Sequence, residues 1–480
     1  MPRPPQITRQ SLEPLLLRRG PVSATEMADA LAVNRSSIVR ALDAVFGPEL
    51  ATLGATRSTR YALRREVFTA GNQWPVYAIN ETGRAHHWAT VEAFHDRRWR
   101  VAWSSESGAP EWAARFSDSL GFWNGFPFFL DDIRPQGFLG RAIARTLSRL
   151  LPVPEDPREW SDDQVLLYLQ SASEDLPGNL VVGEACLRRA LDPDHRHRMR
   201  TQLRESDREN RYPVLAAEAM NVDVGSSAGG EQPKFLATLL SDEDDEDASP
   251  PREVIVKFSP PRDQTAGARW ADLLACEWIA HQVLAEQGLA REGARLLDAG
   301  NRRFLEVPRF DRTPRGGRRG VVSLSALHPE ADSYGIARAW ERSSLELEAS
   351  GLIDTETRQT IQQLHAFADL TGNTDRHGGN LSFWLTPDLP FALAPVYDML
   401  PMHWAPGQQG EVVESRAFHP SRPVPGDAEV AWETVHPWAV DYWCRVAESP
   451  DLSEPFRAIA AEAEDTVRNL TSATSPDPKS

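Results

Sequence analysis

The sequence predicts an α+β protein built from two or three domains. Residues 8–45 repeat apolar side chains at helical spacing, short apolar runs at 76–79, 99–103 and 253–258 are typical of strands, and helical patterns dominate from residue 332 onward. A chain of 480 residues is also too long for one typical core. We therefore expect strands and helices in separate blocks, with the helices concentrated in the C-terminal part.

The charge of the chain is uneven. The formal net charge is −17, which argues against a broadly basic surface for nucleic acid. Residues 1–70 contain ten arginines, no lysine and six acidic residues, so they carry +4 and the remainder carries −21. Any contact with nucleic acid is therefore expected from the first 70 residues.

The composition favours a reducing compartment. Three cysteines are scattered along the chain and have no spacing of a zinc site. No apolar segment reaches membrane-spanning length, and the start of the chain has no apolar signal core. We therefore expect a cytoplasmic protein without a membrane partner.

The first domain is predicted over residues 1–68 as a winged helix-turn-helix. After a first helix, Ser23 and Glu26 form the capping box of a second helix, and Asn34 caps a third. Helix, short turn and helix is the helix-turn-helix plan. Residues 50–63 alternate enough to give a two-stranded wing.

The third helix of this domain is predicted to contact DNA. Its N-terminal residues would meet base edges in a major groove, while the wing would meet phosphates. The local excess of arginine favours DNA, and a three-helix protein–protein module with the same core is the alternative. The residues predicted to contact DNA are Arg35, Ser36, Ser37 and Arg40 on the helix and Arg57 and Arg60 on the wing.

The stretch 372–383 is the candidate catalytic loop. It holds Asp375, His377 and Asn380 between a predicted helix and a short strand, and its glycines let the backbone turn tightly. Asp375 and Asn380 are five residues apart, which is the interval of a protein-kinase catalytic loop. Asp398, after the next apolar run, supplies a second carboxylate. An ordinary turn rich in Asn, Asp and Gly is the alternative for the loop taken alone.

Two upstream segments fit the same chemistry. Residues 224–237 join a glycine-containing turn to an apolar strand, so backbone N–H groups can approach phosphate oxygens. The turn is not a Walker loop, and a plain hairpin turn is the alternative. Lys257 ends the next strand, in the position of a kinase strand-three lysine. Glu277, on a helix predicted over 266–287, is its candidate ion-pair partner; solvated roles are the alternatives for both side chains.

At these positions the sequence resembles the HipA-like serine/threonine kinases, which are toxins of bacterial type II toxin–antitoxin systems. The motifs that carry the resemblance follow one another at 226–234, 309–312, 373–380 and 397–400. With its N-terminal winged-helix segment, the chain is similar to the YjjJ-type proteins of this family. The resemblance implies a bilobal protein-kinase-like (HipA-like) fold with a mixed α/β N-lobe and a mostly helical C-lobe. The predicted boundaries are 1–68 for the winged helix-turn-helix, 69–310 for the N-terminal lobe with its phosphate-cradling loop, 311–470 for the helical C-terminal lobe and 471–480 for a disordered tail.

The resemblance also implies roles for individual residues. Asp375 would orient or deprotonate the acceptor hydroxyl, Asn380 and Asp398 would hold Mg²⁺, and Ser226 matches the serine that these kinases autophosphorylate. The residues assigned to ATP are Ala228, Gly229, Gly230, Lys234, Lys257, Glu277, His377, Asn380, Tyr397 and Asp398, with Pro308, Arg309 and Phe310 at the hinge that contacts adenine.

The sequence therefore predicts an ATP- and Mg²⁺-dependent protein serine/threonine kinase that autophosphorylates, inhibits growth and also binds DNA. The resemblance implies a protein substrate, such as a translation factor or an aminoacyl-tRNA synthetase, and an antitoxin partner. The first alternative is a transcription regulator whose kinase-like domain binds nucleotide without catalysis. The second is a small-molecule or lipid kinase, although the acidic chain disfavours anionic membranes.

Overall fold

The computed structural model describes residues 7–55, 58–195, 201–222, 232–243, 249–336, 338–407, 409–413, 416–423 and 426–470. Within these residues, a small N-terminal unit precedes two five-stranded sheets and a helical C-terminal part. The predicted tail at 471–480 lies outside the described residues. The predicted site residues outside them are Arg57, Ser226, Ala228, Gly229 and Gly230.

The N-terminal unit contains three helices and one antiparallel strand pair. The Ser23 side chain accepts a hydrogen bond from the Glu26 N–H, and the Glu26 carboxylate accepts one from the Ser23 N–H, which confirms the predicted capping box. Asn34 is the N-cap residue of the third helix, as predicted. Its side chain makes no capping hydrogen bond, so the predicted cap is wrong for the side chain. The elements are the helices Arg9–Arg19, Ala24–Leu31 and Arg35–Phe46 and the strands Leu50–Leu53 and Arg60–Leu63.

This unit is packed onto the first sheet by both apolar and charged contacts. Arg64 pairs with Glu92 at 2.7 Å, and Arg65 makes two hydrogen bonds of 2.6 Å to Asp163. Glu92 is only 3% exposed, so loss of Arg64 would leave a buried carboxylate short of a partner. The apolar contact is made by Ala51, Leu53, Ala62, Phe94 and Phe122.

The first sheet is antiparallel throughout and packs its inner face against tryptophan-rich helices and loops. The strands predicted around 76–79 and 99–103 are confirmed. In spatial order its strands are Phe122–Trp123, Trp99–Trp103, Ala85–Ala93, Gln73–Ile79 and Leu180–Val182. The helices of this segment are Ala113–Phe116, Phe128–Asp131, Gly137–Leu147, Asp162–Ala172 and Glu184–Leu191.

The second sheet lies between the helices Arg208–Val222 and Thr265–Glu286. Its strands pair antiparallel except the last two, which are parallel. The segment 69–310, predicted as one lobe, thus contains two separate sheets. The first sheet shares one apolar core with the C-terminal helices, whereas the second sheet has a cluster of its own. In spatial order the strands are Arg295–Ala299, Arg302–Pro308, Arg252–Phe258, Lys234–Leu240 and Gln202–Arg204.

The C-terminal part is mostly helical, as predicted from residue 332 onward. The strand Ser382–Trp384 follows the candidate catalytic loop and pairs antiparallel with Val321–Ser323. None of the described helices is long and apolar enough to cross a membrane. The helices are Leu324–Leu327, Ala339–Ala349, Thr355–Leu370, Asp427–Glu448 and Glu454–Asn469, and the remaining strands are Arg312–Thr313 and Gly317–Arg318.

Candidate active site

A cleft of about 1110 Å³ lies where the second sheet, the candidate catalytic loop and the helix Gly137–Leu147 meet. Its volume is at the upper end of the usual range for ligand sites. Residues that are distant in the sequence therefore share one solvent-filled space. The predicted site residues that line it are Lys234, Lys257, Asp375, His377, Asn380, Tyr397 and Asp398.

Lys257 is the buried positive charge of this cleft. Its side chain lies at the end of the strand Arg252–Phe258, is 6% exposed, and contacts the carboxylates of both Glu277 and Asp398. Burial works to lower the pKa of Lys257, but Asp398 and Glu277 outweigh it, so that the pKa is raised. The ammonium group therefore stays charged at neutral pH.

The pKa values of the two carboxylates are shifted in opposite directions. Burial works to raise the pKa of Asp398, but the Lys257 ammonium lowers it to about 2. For Glu277 burial dominates and raises the pKa, although Lys257 opposes the shift. At neutral pH the cleft therefore presents an ionised Asp398 beside a protonated Lys257.

Lysine is rare in this chain. The 52 basic side chains comprise 49 arginines and three lysines, and two of the lysines, Lys234 and Lys257, line the cleft. The two face each other in the register of adjacent strands. A lysine ammonium is a compact point charge, whereas a guanidinium is a planar fork. The use of lysine at these two positions fits the binding of phosphate oxygens.

Asn373, to which the sequence analysis gave no role, joins the two acidic segments of the cleft. Its Nδ2 donates to the carbonyl oxygen of Asp398 at 3.2 Å, and its Oδ1 accepts from the N–H of Asp375 at 2.9 Å. It is 1% exposed. Asp398 has a left-handed backbone (φ +56°), which is uncommon for a residue with a Cβ. Asn373 therefore holds the backbone of Asp375 and Asp398 in one arrangement.

Asp375 presents its carboxylate at the solvent side of the cleft, where the side chain is 40% exposed. Asn380 Nδ2 donates to the carbonyl oxygen of Asp375 at 2.8 Å, which leaves the Oδ1 atom of Asn380 as its possible cation ligand. His377 Nδ1 accepts from the Gly379 N–H at 3.0 Å, so its proton lies on Nε2, 4.0 Å from Asp375. The carboxylate of Asp375 is thus placed for contact with a bound molecule.

The side chains fit a magnesium ion only in part. Within the described residues, no group of three or more His, Cys, Asp or Glu side chains could hold a metal ion. Asn380 and Asp398 supply oxygen atoms in the same cleft, and Mg²⁺ bound with a nucleotide takes one or two carboxylates, phosphate oxygens and water. The two residues fit that mode of binding and do not form an all-protein metal cage.

Tyr397 and Phe310 form an aromatic pair beside the cleft. Their rings stack with centroids 5.9 Å apart and an angle of 26° between planes. The Tyr397 hydroxyl donates to the carbonyl oxygen of Gly379 at 2.8 Å and lies 2.7 Å from the Ser382 hydroxyl. Tyr397 thus holds the segment between Gly379 and Ser382 in place through its hydroxyl group.

The predicted hinge residues do not line the cleft. The Arg309 guanidinium is buried and paired with Asp311 at 2.8 Å and Asp175 at 3.5 Å, and these acidic groups raise its pKa against the effect of burial. The Arg309 side chain is thus held in an ion-pair network, so any adenine contact from Arg309 would use its backbone groups. The predicted adenine contact of Pro308, Arg309 and Phe310 stays a prediction.

A second group of cleft residues was missed by the sequence analysis. These residues belong to the segment of the first sheet and come from the helix Gly137–Leu147 and its flanking loops. The i, i+4 spacing of two arginines was the only signal, and it does not show which element the helix faces. The basic members of the group are Arg134, Arg141, Arg145 and Arg158.

A carboxylate connects the segment of the first sheet to the strand beside the catalytic loop. Asp132 accepts hydrogen bonds from the N–H of Ser323, at 2.9 Å, and from its hydroxyl. Ser323 ends the strand that pairs with Ser382–Trp384. Burial raises the pKa of Asp132 to about 6, although the hydrogen bonds from Ser323 oppose the shift.

Asp132→Asn should remove part of the pH dependence of stability. The pKa of Asp132 is about 6 in the fold and has an ordinary value of 3.8, so its contribution to folding is full below the ordinary pKa and is lost as the pH rises towards 6. Relative to Asp132→Asn, the wild-type free energy of unfolding should fall by about 1–3 kcal/mol across this window. Urea denaturation at several pH values measures the difference. Asp388→Asn, at an exposed carboxylate, is the control, and a pH-independent difference would contradict the expectation.

The predicted DNA contacts lie on the N-terminal unit. Arg35, Ser36 and Arg40 are exposed on the third helix and Ser37 is half-buried. Arg60 donates to the carbonyl oxygen of Pro21 and pairs with Glu26, both at 3.2 Å. Its guanidinium therefore has partners within the unit, while the side chain is 43% exposed and the predicted phosphate contact stays a prediction.

Comparison with known proteins gives consistent matches. Residues 70–191 match the middle domain of YjjJ-like toxins, and residues 226–471 match the HipA-like C-terminal domain. The chain is 34% identical to Toxin YjjJ of Escherichia coli (strain K12) over 467 residues, which are 95% of this chain and 97% of that protein. Its fold is similar to a chain of the complex of HipA, HipB and operator DNA from Shewanella oneidensis MR-1. The TM-score is 0.50 at 18% identity, covering 82% of this chain and 96% of that chain.

Proposed function

Because this chain belongs to the HipA-like toxin family, we propose that it is an ATP-dependent protein serine/threonine kinase. The single observation that carries the proposal is the meeting of Lys257, Asp375, Asn380 and Asp398 in one cleft. These are the types of side chain that phosphoryl transfer requires, since the reaction depends on positioning and charge stabilisation.

In this mechanism the second sheet holds the nucleotide. Lys257 and Lys234 bind the phosphates of ATP, and Glu277 keeps the Lys257 ammonium in place through their direct contact. Asn380 and Asp398 would hold Mg²⁺ through the oxygen atoms of their side chains. When bound, Mg²⁺ offsets the negative charge of the phosphates during transfer. The low pKa of Asp398, about 2, keeps its carboxylate ionised for this role.

Asp375 acts on the acceptor. Its exposed carboxylate accepts the proton of a serine or threonine hydroxyl as the oxygen of that hydroxyl forms its bond to the γ-phosphorus of ATP, and ADP leaves. Asn373 and Asn380 hold the backbone of Asp375 from both sides and so fix where its side chain begins. The proposed acceptor is a cytoplasmic protein, such as a translation factor or an aminoacyl-tRNA synthetase, whose phosphorylation inhibits growth.

Incubation of the full chain with Mg²⁺ and γ-labelled ATP tests the proposal. We expect label on serine or threonine, with Ser226, which lies outside the described residues, as the proposed site of autophosphorylation. Protection of Lys234 and Lys257 by ATP against an amine-reactive reagent, read by mass spectrometry, measures nucleotide binding independently of catalysis. ATP protection without any phosphoprotein would favour the non-catalytic regulator, and absence of both would contradict the nucleotide site.

We also propose that the N-terminal unit binds DNA as a winged helix and that an antitoxin regulates the protein. The related HipA was solved together with HipB and operator DNA. In the present chain the first 70 residues carry +4, and the third helix exposes Arg35 and Arg40. The firm packing of this unit against Glu92 and Asp163 would couple bound DNA to the rest of the molecule.

Replacing Arg35 and Arg40 together by alanine should weaken binding of the full chain to duplex DNA. DNA binding releases counterions from the phosphates, so the affinity should fall steeply with salt, and the double variant should bind more weakly at every salt concentration. Fluorescence anisotropy over a salt series measures both. Arg18→Ala, an exposed arginine on the first helix, is the control. Binding that ignores salt, or that is equal in all three proteins, would favour a protein-interaction module.

A further inference from the structure

One wall of the cleft is built by arginines of the first-sheet segment. Arg141 and Arg145 are four residues apart in the helix Gly137–Leu147, so both project from one face, and both line the cleft. Arg134 and Arg158 line the same wall from the loops on either side of this helix. None of these side chains has a role in the mechanism above.

This wall is positive in an acidic protein. The net charge of the chain is −17, yet the described residues that line the cleft include six basic and four acidic side chains. Lys234, Lys257, Asp375 and Asp398 belong to the nucleotide and catalytic part. The remaining wall has the four arginines and two acidic residues, Glu155 and Asp156.

Two arginines of the wall, Arg134 and Arg158, are held by ion pairs. Arg158 pairs with Asp156 at 2.6 Å, and Arg134 contacts Asp131 and lies 3.5 Å from Asp162. Arg158 lowers the pKa of Asp156 to about 2. These acidic groups orient the guanidinium groups of Arg134 and Arg158, and among the described residues that line the cleft the four arginines outnumber Glu155 and Asp156.

Resting on the proposed kinase function, we propose that Arg141 and Arg145 bind an acidic segment of the protein substrate beside the acceptor hydroxyl. A guanidinium forms paired hydrogen bonds with a carboxylate, which fixes orientation as well as position. The wall shares its space with Asp375, so a segment held there brings a nearby hydroxyl to the carboxylate that accepts its proton.

An acidic peptide fits this wall better than the other anions. ATP already has Lys234, Lys257, Asn380 and Asp398, and the cleft of about 1110 Å³ has room for more than a nucleotide. A nucleic-acid strand carries an unbroken row of phosphates, which Glu155 and Asp156 would repel where they interrupt the arginines. A peptide can alternate its charges to match.

Two synthetic serine peptides, identical except for glutamate or lysine on both sides of the serine, test the proposal with the full chain. The wild type should prefer the glutamate peptide. In Arg141→Ala/Arg145→Ala, kcat/KM for that peptide should fall by roughly ten- to a hundredfold through KM, while the KM for ATP is unchanged. Arg149→Ala, an exposed arginine just after the same helix and outside the cleft, is the matched control.

A binding measurement separates this proposal from the kinase function. Anisotropy of a labelled glutamate peptide with alanine in place of serine reports binding without catalysis. Loss of this binding in the double variant would support the proposal that Arg141 and Arg145 bind an acidic peptide, even if no phosphoryl transfer occurs. Arg145→Glu should shift preference towards the lysine peptide, which a folding defect would not do. Equal binding by wild type and double variant, an equal loss of ATP affinity, or tighter arginine-dependent binding of a DNA or RNA oligomer would overturn the proposal.

Discussion

Asp375→Asn should lower the rate of phosphoryl transfer by about 10²–10⁴-fold, the range for loss of a positioned proton acceptor. The amide keeps the shape of the carboxylate but cannot accept the hydroxyl proton. Because Asn373 and Asn380 bond to backbone atoms of residue 375, the loop should keep its conformation in the variant. ATP affinity should therefore stay within about twofold of the wild type. Loss of a direct contact with an ATP phosphate would lower the affinity by more than that.

Single-turnover transfer from labelled ATP measures the first effect, and ATP protection of the cleft lysines measures the second. Asp388→Asn changes an exposed carboxylate in the loop after the strand Ser382–Trp384 and should leave both unchanged. Near-normal transfer by Asp375→Asn would show that the loop is not catalytic. A loss of ATP binding as large as the loss of transfer would instead assign Asp375 to the nucleotide or its metal ion.

The parts of this site that the sequence predicted depend on short spacings and on strand order. Asp375 and Asn380 share one loop, and a lysine at the end of a central strand meets a glutamate on the following helix wherever that helix packs on the sheet. Glu277 and Lys257 do meet in this way. Asp398 follows the apolar run after the loop, and its side chain contacts Lys257.

The parts that the sequence did not predict depend on how distant segments pack. Arg141 and Arg145 reach the cleft only because the helix Gly137–Leu147 lies against the second sheet, and no local pattern specifies that contact. The motif places Arg309 at the predicted adenine hinge but does not show that Asp175, from the segment of the first sheet, pairs with its side chain. To predict a buried ion pair, the positions of both partners in the fold must be known. Helical or strand periodicity does not give these positions.

Lys257→Met should cause the largest combined loss of stability and activity. It leaves Glu277 and Asp398 facing each other without their shared cation, and removal of one partner from a buried ion pair costs about 3–5 kcal/mol. Glu277 is the more severely affected, because its side chain is 5% exposed and its Oε2 has no hydrogen-bond partner within the described residues. ATP affinity should fall as well, since Lys257 is the buried positive charge of the cleft.

The double variant Lys257→Met/Glu277→Gln distinguishes the two losses. It removes the unpaired buried charge, so most of the stability should return, while phosphoryl transfer should not. Chemical denaturation, with hydrogen exchange in the helix Thr265–Glu286, measures stability, and Lys234→Met serves as the control because Lys234 is half-buried on the neighbouring strand. A free energy of unfolding of Lys257→Met within about 1 kcal/mol of the wild type would contradict this account, because a loss that small is typical of an exposed ion pair.

The pH dependence of Lys257→Met follows from the same ion pair. In the wild type the pKa of Asp398 is lowered to about 2 from its ordinary value of 3.8, so its contribution to stability is present above the ordinary pKa and is lost as the pH falls through the folded one. Lys257→Met lacks this contribution at every pH. Its deficit against the wild type should therefore be largest near neutral pH and should shrink on acidification, as Glu277 and Asp398 take up protons and no longer need a cation. A deficit that stays constant from neutral pH to the acid limit of folding would mean that the lysine stabilises the sheet by packing alone.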